Sequence, residues 1–321
     1  MILGDGRDLA TGVAKHHSSL NSGESMRFNE WVEKHVRQIF TLPAIIFVIV
    51  MVAFPLVYNI VISFRDWNLS SYAEPRWIGL KNYSSLLSDA RFWGAMWRTL
   101  AFSFSAVVIE TVLGFSIALF LNRDLRGKNL TKTIFLLPMV ATPVAVGMIW
   151  LLIFEPTMGL ANYLLKGLGI APQLWLTTRR TVLPSLMIID IWQWTPIIML
   201  ISLAGLAVLP KDPYESARID GANSFQILNM VTIPQILPTL LAGVLIRLID
   251  ALKTYDIIYA TTQGGPGEAS ETLNILGYVL GFSYFKMGRS AALIVLFLIT
   301  VTSISLIVLF FKNRTDKKIE V

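Results

Sequence analysis

Long apolar segments are the feature that most constrains this fold. Six stretches are each long enough to cross the roughly 30 Å hydrocarbon layer of a membrane as a helix. In chain order they are residues 41–64, 97–121, 133–154, 182–209, 233–259 and 291–311. These runs are too long and too unalternating for barrel strands, and lipid leaves helices and closed barrels as the only spanning structures. The sequence therefore predicts an all-α integral membrane protein with six transmembrane helices.

The distribution of basic residues predicts how these helices are oriented. An even number of spans places both termini on one side. The tail, the loop 122–132, the loop 210–232 and the C-terminus hold fifteen Lys and Arg, against nine in the other three loops. Because basic residues concentrate on the cytoplasmic side, we expect both termini to be cytoplasmic. Residues 1–40 are then a cytoplasmic tail with an interfacial helix, residues 65–96 an extracytoplasmic loop, residues 97–311 the five-helix core domain and residues 312–321 a second cytoplasmic tail.

Composition excludes several classes of function. Only 15% of the residues are charged, there is no cysteine, and the three histidines, His16, His17 and His35, lie in the N-terminal tail. The spans therefore lack thiolate and imidazole ligands. No phosphate-binding loop or hydrolase motif is present. We expect no catalytic residue, no metal site, no cofactor on this chain and no nucleic-acid partner.

The fifth span is unusual because it is charged. Arg247, Asp250, Lys253 and Asp256 follow one another at intervals of three. One charge at the bilayer centre costs about 2.5–3.5 kcal/mol. Pairing along the helix, Arg247 with Asp250 and Lys253 with Asp256, is one way to offset this cost. A step of three residues spreads the four sites around the helix, so we expect one or two of them to face a polar cavity.

The fourth span carries a second polar group near its middle. Asp190, Gln193 and Trp194 lie at positions i, i+3 and i+4, so they share one helix face. A carboxylate, an amide and an indole together suit a saccharide, whose hydroxyls form hydrogen bonds and whose apolar face stacks on an aromatic ring. The alternative is helix–helix packing through an interhelical hydrogen bond.

The polar loop 210–232 between the fourth and fifth spans predicts a short helix. Asp212 is a suitable cap, Pro213 a favoured first-turn residue, and Glu215 suits the N-terminal dipole. Ala217 and Gly221 place two small residues on one face, and Gly221 permits the positive φ that ends a helix. Such a helix fits deep into a groove on a partner. An ordinary cytoplasmic loop with one helical turn is the alternative.

Several motifs add a resemblance to a known family. Glu215-Ser216-Ala217, followed by Gly221 and by Ile233-Pro234, resembles the Glu-Ala-Ala loop of ABC importer permeases, with Ser216 replacing one alanine. The segments at residues 255–267 and 271–273, with those at 77–83 and 136–138, resemble the maltose-type carbohydrate permeases. The similarity runs from about residue 40 to residue 311 and extends to permease subunits of alginate-oligosaccharide importers.

The resemblance implies a type I ABC importer permease bundle in the bacterial inner membrane, working by alternating access. It also implies a second permease subunit, an extracytoplasmic solute-binding protein, and two ATPase subunits that hold ATP and Mg²⁺. In the family the polar loop forms a coupling helix docked on the ATPase. The matching positions here are Glu215, Ser216, Ala217, Asp220, Gly221 and Ala222.

For the substrate, the resemblance points to the two polar spans. The aligned positions, with Lys253 beside them, are Asp190, Gln193, Trp194, Ile197, Asp250, Ala251 and Thr254. They imply a saccharide site, and an acidic saccharide such as alginate would suit Lys253 or Arg247 through charge-assisted hydrogen bonds.

Two functions from other classes stay open on the residues alone. An ion-coupled secondary sugar transporter would use Asp250 and Asp190 as proton or sodium sites, although inverted repeats of broken segments are absent. A membrane enzyme that does not transport would need a catalytic constellation that the sequence lacks.

Overall fold

The structure, a computed structural model, describes residues 41–123 and 126–319. The predicted N-terminal tail and interfacial helix, residues 1–40, lie outside the described residues. The chain divides into two compact units, Met1–Asn59 and Ile60–Val321. Within the described ranges, five helices are long and apolar enough to cross a membrane, or six if one bent pair counts as a single span. This agrees with a predominantly helical membrane protein.

Short helices and one small hairpin separate the long helices. Helix α1, Thr41–Ser63, contains a π-helical stretch at Ile49–Ala53. Strands β1 and β2, Arg65–Asp66 and Arg76–Trp77, pair antiparallel. The remaining helices are α2 (Lys81–Leu87), α3 (Ala90–Leu121), α4 (Lys128–Val140), α5 (Pro143–Ile153), α6 (Leu160–Gly167), α7 (Val182–Ala207), α8 (Asp212–Ile219), α9 (Ser224–Ile227), α10 (Ile233–Leu252), α11 (Asp256–Thr261), α12 (Leu273–Tyr278) and α13 (Met287–Ile319). A π-helical turn, Leu228–Thr232, joins α9 to α10, and another, Val279–Ser283, extends α12.

Helices α3, α7 and α10 pack together at the centre of the second unit. Small residues allow their backbones to approach closely. A Cβ added at Gly114 of α3 would lie 2.8 Å from the Cβ of Ile198 on α7, and one at Gly205 of α7 would lie 2.9 Å from Cγ2 of Thr239 on α10. These close contacts fix the three helices that carry the polar groups of the interior.

The third predicted span is broken rather than continuous. Helices α4 and α5 meet at an angle of 97° across residues 141–142. Ala141 and Thr142 are extended, with ψ of 143° and 142°. For Thr142 the reason is that Pro143, the first residue of α5, disfavours the helical region in the residue before it. The carbonyl of Ala141 accepts a hydrogen bond from Nε2 of Gln193 at 3.1 Å. The side chain of α7 thus satisfies a backbone group that the break exposes.

The fifth predicted span, residues 233–259, is also interrupted. Helix α10 ends at Leu252, and residues 253–255 are not α-helical before α11 begins at Asp256. The carbonyl of Lys253, released from the helix, accepts a hydrogen bond from Nδ2 of Asn274 at 2.5 Å. Because of this interruption, the polar residues at the end of the span do not follow one continuous helix face.

Two arginines of α3 bond to one glutamate and hold the loop between α11 and α12 against α3. The guanidinium of Arg91 donates to both carboxylate oxygens of Glu271, at 2.9 and 2.8 Å, and Nε of Arg98 donates to the Glu271 carbonyl at 2.8 Å. Glu271 is buried. Because a bidentate, charge-assisted pair is among the stronger polar contacts in proteins, it fixes the segment that carried part of the family resemblance.

The loop between α5 and α7 is built around Asn162, which is 1% exposed. Its amide nitrogen donates to the carbonyls of Pro156 and Gln173, at 2.9 and 3.0 Å, and its oxygen accepts from the backbone of Gln173 and from the Trp175 indole, both at 2.9 Å. At the start of this loop, the backbone N–H of Met158 lowers the pKa of the Glu155 carboxyl below its usual range. Local hydrogen bonds therefore help to order this loop.

Replacement of Asn162 by alanine should loosen this loop. Buried groups that lose their partners cost about 1–3 kcal/mol each, so we expect Asn162→Ala to lower unfolding stability by at least that amount. Thermal unfolding of the detergent-solubilised protein measures the change, with exposed Asn129→Ala as the matched control. Equal melting temperatures for the two variants would contradict the role assigned to Asn162.

Candidate functional site

A cavity of about 370 Å³ lies where the two interrupted spans meet α7. Its walls come from the start of α5, the middle of α7, the end of α10 and the segment that leads into α11. The lining residues are Pro143, Asp190, Trp194, Arg247, Asp250, Lys253, Thr254, Tyr255, Asp256 and Ile257. Most of these side chains are polar or aromatic, so the cavity offers hydrogen-bonding groups together with an indole and a phenol ring.

A buried ion cluster forms the floor of the cavity. Arg247 is 2% exposed, and its two carboxylate partners, Glu110 and Asp190, are fully buried. Nη2 of Arg247 donates to Oε1 of Glu110 at 3.0 Å and also to Oδ2 of Asp190, while Nε lies 2.8 Å from Oε2 of Glu110. The cluster joins α3, α7 and α10. Such pairing reduces the cost of burying charge within a membrane span.

The same guanidinium lies over an aromatic ring. The Cζ atom of Arg247 is 5.4 Å from the centre of the Trp194 indole. A guanidinium at this distance is attracted by the ring, and the contact restricts the indole. Oδ1 of Asp190 and Oε1 of Gln193 have no hydrogen-bond partner among the described residues. The cluster thus positions an aromatic surface of the cavity beside a buried carboxylate.

The ion pairs predicted along the fifth span are wrong, because the charged residues have other partners. Arg247 pairs across helices rather than with Asp250, and Lys253 pairs with Asp250, at 3.3 Å, rather than with Asp256. The side chains of Asp250 and Lys253 are both about half exposed. The physical reason is that α10 stops at Leu252, so Asp256 no longer follows Lys253 on one helix. The predicted polar cavity is present.

The structure brings together five of the eight residues predicted to bind substrate. Asp190, Trp194, Asp250, Lys253 and Thr254 line the cavity. The other three do not line it. Gln193 is buried and bonds to the Ala141 carbonyl, Ala251 is buried among apolar side chains, and Ile197 is half-buried in α7.

Glu110 is the functional candidate that sequence reasoning missed. It is the one acidic residue within α3, and its side chain is fully buried beside Arg247. A lone carboxylate in a long apolar segment is itself a signal, because an ionisable group in a membrane span needs a partner. The sequence does not show which of the basic residues that partner is.

The polar loop 210–232 forms the short helix that the sequence predicts. Helix α8 runs over Asp212–Ile219, with Pro213 in its first turn, and no residue of it is buried. The expected cap is wrong, because Lys211 is the N-cap residue and Asp212 is the first residue of the helix. Gly221 has a φ of +78°, and its N–H donates to the Arg218 carbonyl at 3.1 Å. Asn223 and Gln226 form a reciprocal capping box that starts α9. Large apolar side chains on both sides of the turn, Ile219 and Phe225, are exposed.

Comparison with known proteins decides the family. A family model described as "Binding-protein-dependent transport system inner membrane component" matches residues 110–321. The chain belongs to this family. A probable ABC transporter permease protein, y4oQ of Sinorhizobium fredii, is 37% identical over 83% of this chain and 86% of its own length. The trehalose/maltose transport system permease protein MalF of Thermococcus litoralis is 36% identical over 80% of this chain and 85% of its own.

A solved structure shares the fold of this inner-membrane component. A chain of a bacterial ABC transporter described as importing the acidic polysaccharide alginate superposes with a TM-score of 0.77 at 21% identity, covering 90% of this chain and 99% of that one. The family and the apolar helices make the protein a multi-pass component of the inner membrane. The family resemblance drawn from the sequence motifs is confirmed.

Proposed function

We propose that this chain is the permease subunit of an ATP-driven importer that carries a saccharide across the inner membrane. One observation carries the proposal: a cavity of about 370 Å³ between the long apolar helices has the Trp194 indole, carboxylates and the Thr254 hydroxyl in its walls. Hydroxyl-rich ligands with an apolar ring face need this combination. The Thermococcus relative, named for trehalose and maltose transport, supports the same substrate class.

ATP-driven import requires partner proteins that supply the functions this chain does not carry, including ATP binding. The proposed complex contains a second permease of similar fold, two ATPase subunits that bind ATP and Mg²⁺, and an extracytoplasmic solute-binding protein. Another solved structure with this fold is described as an alginate transporter in complex with a ligand-bound periplasmic protein. At 21% identity, this similarity shows only that the two chains share a fold.

The proposed contact with the ATPase is α8 and the turn after it. The residues assigned to it are Glu215, Ser216, Ala217, Asp220, Gly221 and Ala222. Helix α8 is short and exposed, and Gly221 carries no side chain, so this surface fits a groove on a partner. The Tyr214 hydroxyl of α8 lies 3.2 Å from Oγ1 of Thr232. This hydrogen bond links α8 to the π-helical turn before α10. Movement of α8 would reach α10, and through it the cavity, in alternating access.

Trp194 provides a direct test of the substrate cavity. Trp194→Ala removes the proposed stacking surface, and we expect saccharide uptake to fall at least about ten-fold, equivalent to about 1.4 kcal/mol of lost binding. The matched control is Trp192→Ala on the same helix, because Trp192 is exposed and contacts Trp150 instead of the cavity. Uptake is measured in vesicles containing the assembled complex. Equal uptake by the two variants would remove α7 from the binding path.

The energy source distinguishes this proposal from ion-coupled transport. The secondary transporter considered from the sequence would need Asp190 as a free ion site, whereas Asp190 is paired with Arg247. Uptake that requires ATP inside the vesicle and persists with an ionophore supports the importer. Uptake that stops with the ionophore and ignores ATP would contradict it.

A further inference from the structure

Carboxylates outnumber cations among the side chains that line the cavity. Three carboxylates line it, those of Asp190, Asp250 and Asp256, against two cations, Arg247 and Lys253. The formal balance of the lining is therefore one excess negative charge. Glu110 lies directly behind Arg247 and adds a further carboxylate. Because these groups line the cavity wall, their charges act on a bound ligand at short distance.

Both cations are already engaged by carboxylates of this chain. Arg247 serves two carboxylates at once and is only 2% exposed, so little of its guanidinium faces the cavity. Lys253 lies 3.3 Å from Asp250, which stands one helical turn before it. A carboxylate on an incoming sugar would compete with a partner at each cation.

We propose that the cavity admits a neutral saccharide and disfavours a uronic acid saccharide. Glu110 contributes to this selectivity as a positioning residue that acts through Arg247. The inference rests on the proposed saccharide function and adds the charge class of the substrate. A ligand is rejected when its charged groups remain unpaired or meet like charge, and this cavity imposes both conditions on a carboxylated sugar. Neutral hydroxyls meet acceptors instead, namely the exposed carboxylates of Asp250 and Asp256.

Glu110 controls this balance without lining the cavity. Its side chain is fully buried between α3 and α10, and it reaches the ligand space only through the guanidinium. Glu110→Gln removes one negative charge and leaves Arg247 with Asp190 as a one-to-one pair. The substitution should make the potential in the cavity more positive, while Glu110→Asp keeps the charge and should change it little.

The absence of native cysteine allows a direct measurement of this potential. Thr254→Cys places the only thiol of this chain in the cavity wall. In the assembled complex, the rates of its reaction with an anionic and a cationic methanethiosulfonate reagent are compared with those of free 2-mercaptoethanol. We expect the anionic-to-cationic rate ratio to lie at least about five-fold below that of the free thiol. Glu110→Gln should raise the ratio several-fold, and exposed Glu74→Gln is the matched control.

Saccharide protection separates this inference from the proposed function. Maltotriose should slow labelling of the thiol at position 254, and a mannuronate trisaccharide should do so far less. If no saccharide protects, the saccharide site itself is wrong. If both protect equally, or the ratio matches that of the free thiol, or neither reagent reacts, the charge inference is wrong. Asp250→Asn, at an exposed position of the cavity lining, should also raise the anionic-to-cationic rate ratio. This variant replaces Glu110→Gln in the test if the Glu110→Gln complex does not assemble.

Discussion

Replacement of Arg247 by methionine is expected to destabilise the protein by about 3–5 kcal/mol, the usual cost of removing one partner from a buried ion pair. Methionine nearly matches the arginine stem in volume but leaves Glu110 and Asp190 buried, close together and without their cation. The loss of stability comes from two buried carboxylates left without their cation, and not from an empty volume in the packing. Denaturant titration of the solubilised protein, or the yield of assembled complex, measures it.

A compensated variant isolates the electrostatic cause. Glu110→Gln and Asp190→Asn, combined with Arg247→Met, remove all three charges and retain the approximate side-chain volumes. Buried ionic groups replaced together by neutral ones often cost little, so the triple variant should recover most of the lost stability. If it is as unstable as Arg247→Met alone, packing and not charge explains the effect. Arg247→Met with wild-type stability would refute the ion cluster.

Replacement of Gly221 by valine should reduce uptake and substrate-stimulated ATP hydrolysis at least about ten-fold, equivalent to about 1.4 kcal/mol of lost coupling. A Cβ at Gly221 meets nothing within 4 Å in this chain, so the added side chain harms no internal packing. It would project from the turn after α8, where the proposed ATPase groove must close. Membrane insertion should be unaffected.

The chain offers a matched control for the backbone strain. Gly221 has a φ of +78°, and valine in this region costs about 1–2 kcal/mol. Gly169 has a φ of +73° and also meets nothing within 4 Å, so Gly169→Val imposes similar strain in the loop between α6 and α7. We expect Gly169→Val to retain most of its uptake. Equal losses in both variants, or full coupling in Gly221→Val, would contradict the assignment of α8.

Local features were predictable because local chemistry determines them. Apolar segments of sufficient length identify membrane helices, since lipid requires internal hydrogen bonding over the whole segment. Pro213 and Gly221 predicted the start and end of α8, because a proline suits a first turn and a glycine tolerates positive φ. The third span was expected to be one helix, whereas the structure breaks it by 97° at residues 141–142, where the Gln193 side chain donates to the Ala141 carbonyl.

The amino-acid sequence by itself determined the class of protein, the approximate position of most long helices, the α8 turn and two of the three spans that line the cavity. Only the tertiary structure decided which charges pair. Glu110 and Arg247 are 137 residues apart, and their contact depends on how closely α3, α7 and α10 pack at glycines such as Gly114. Ion pairing in a membrane follows distance and burial rather than order along the chain. For that reason the sequence showed the charges of the fifth span but not their partners.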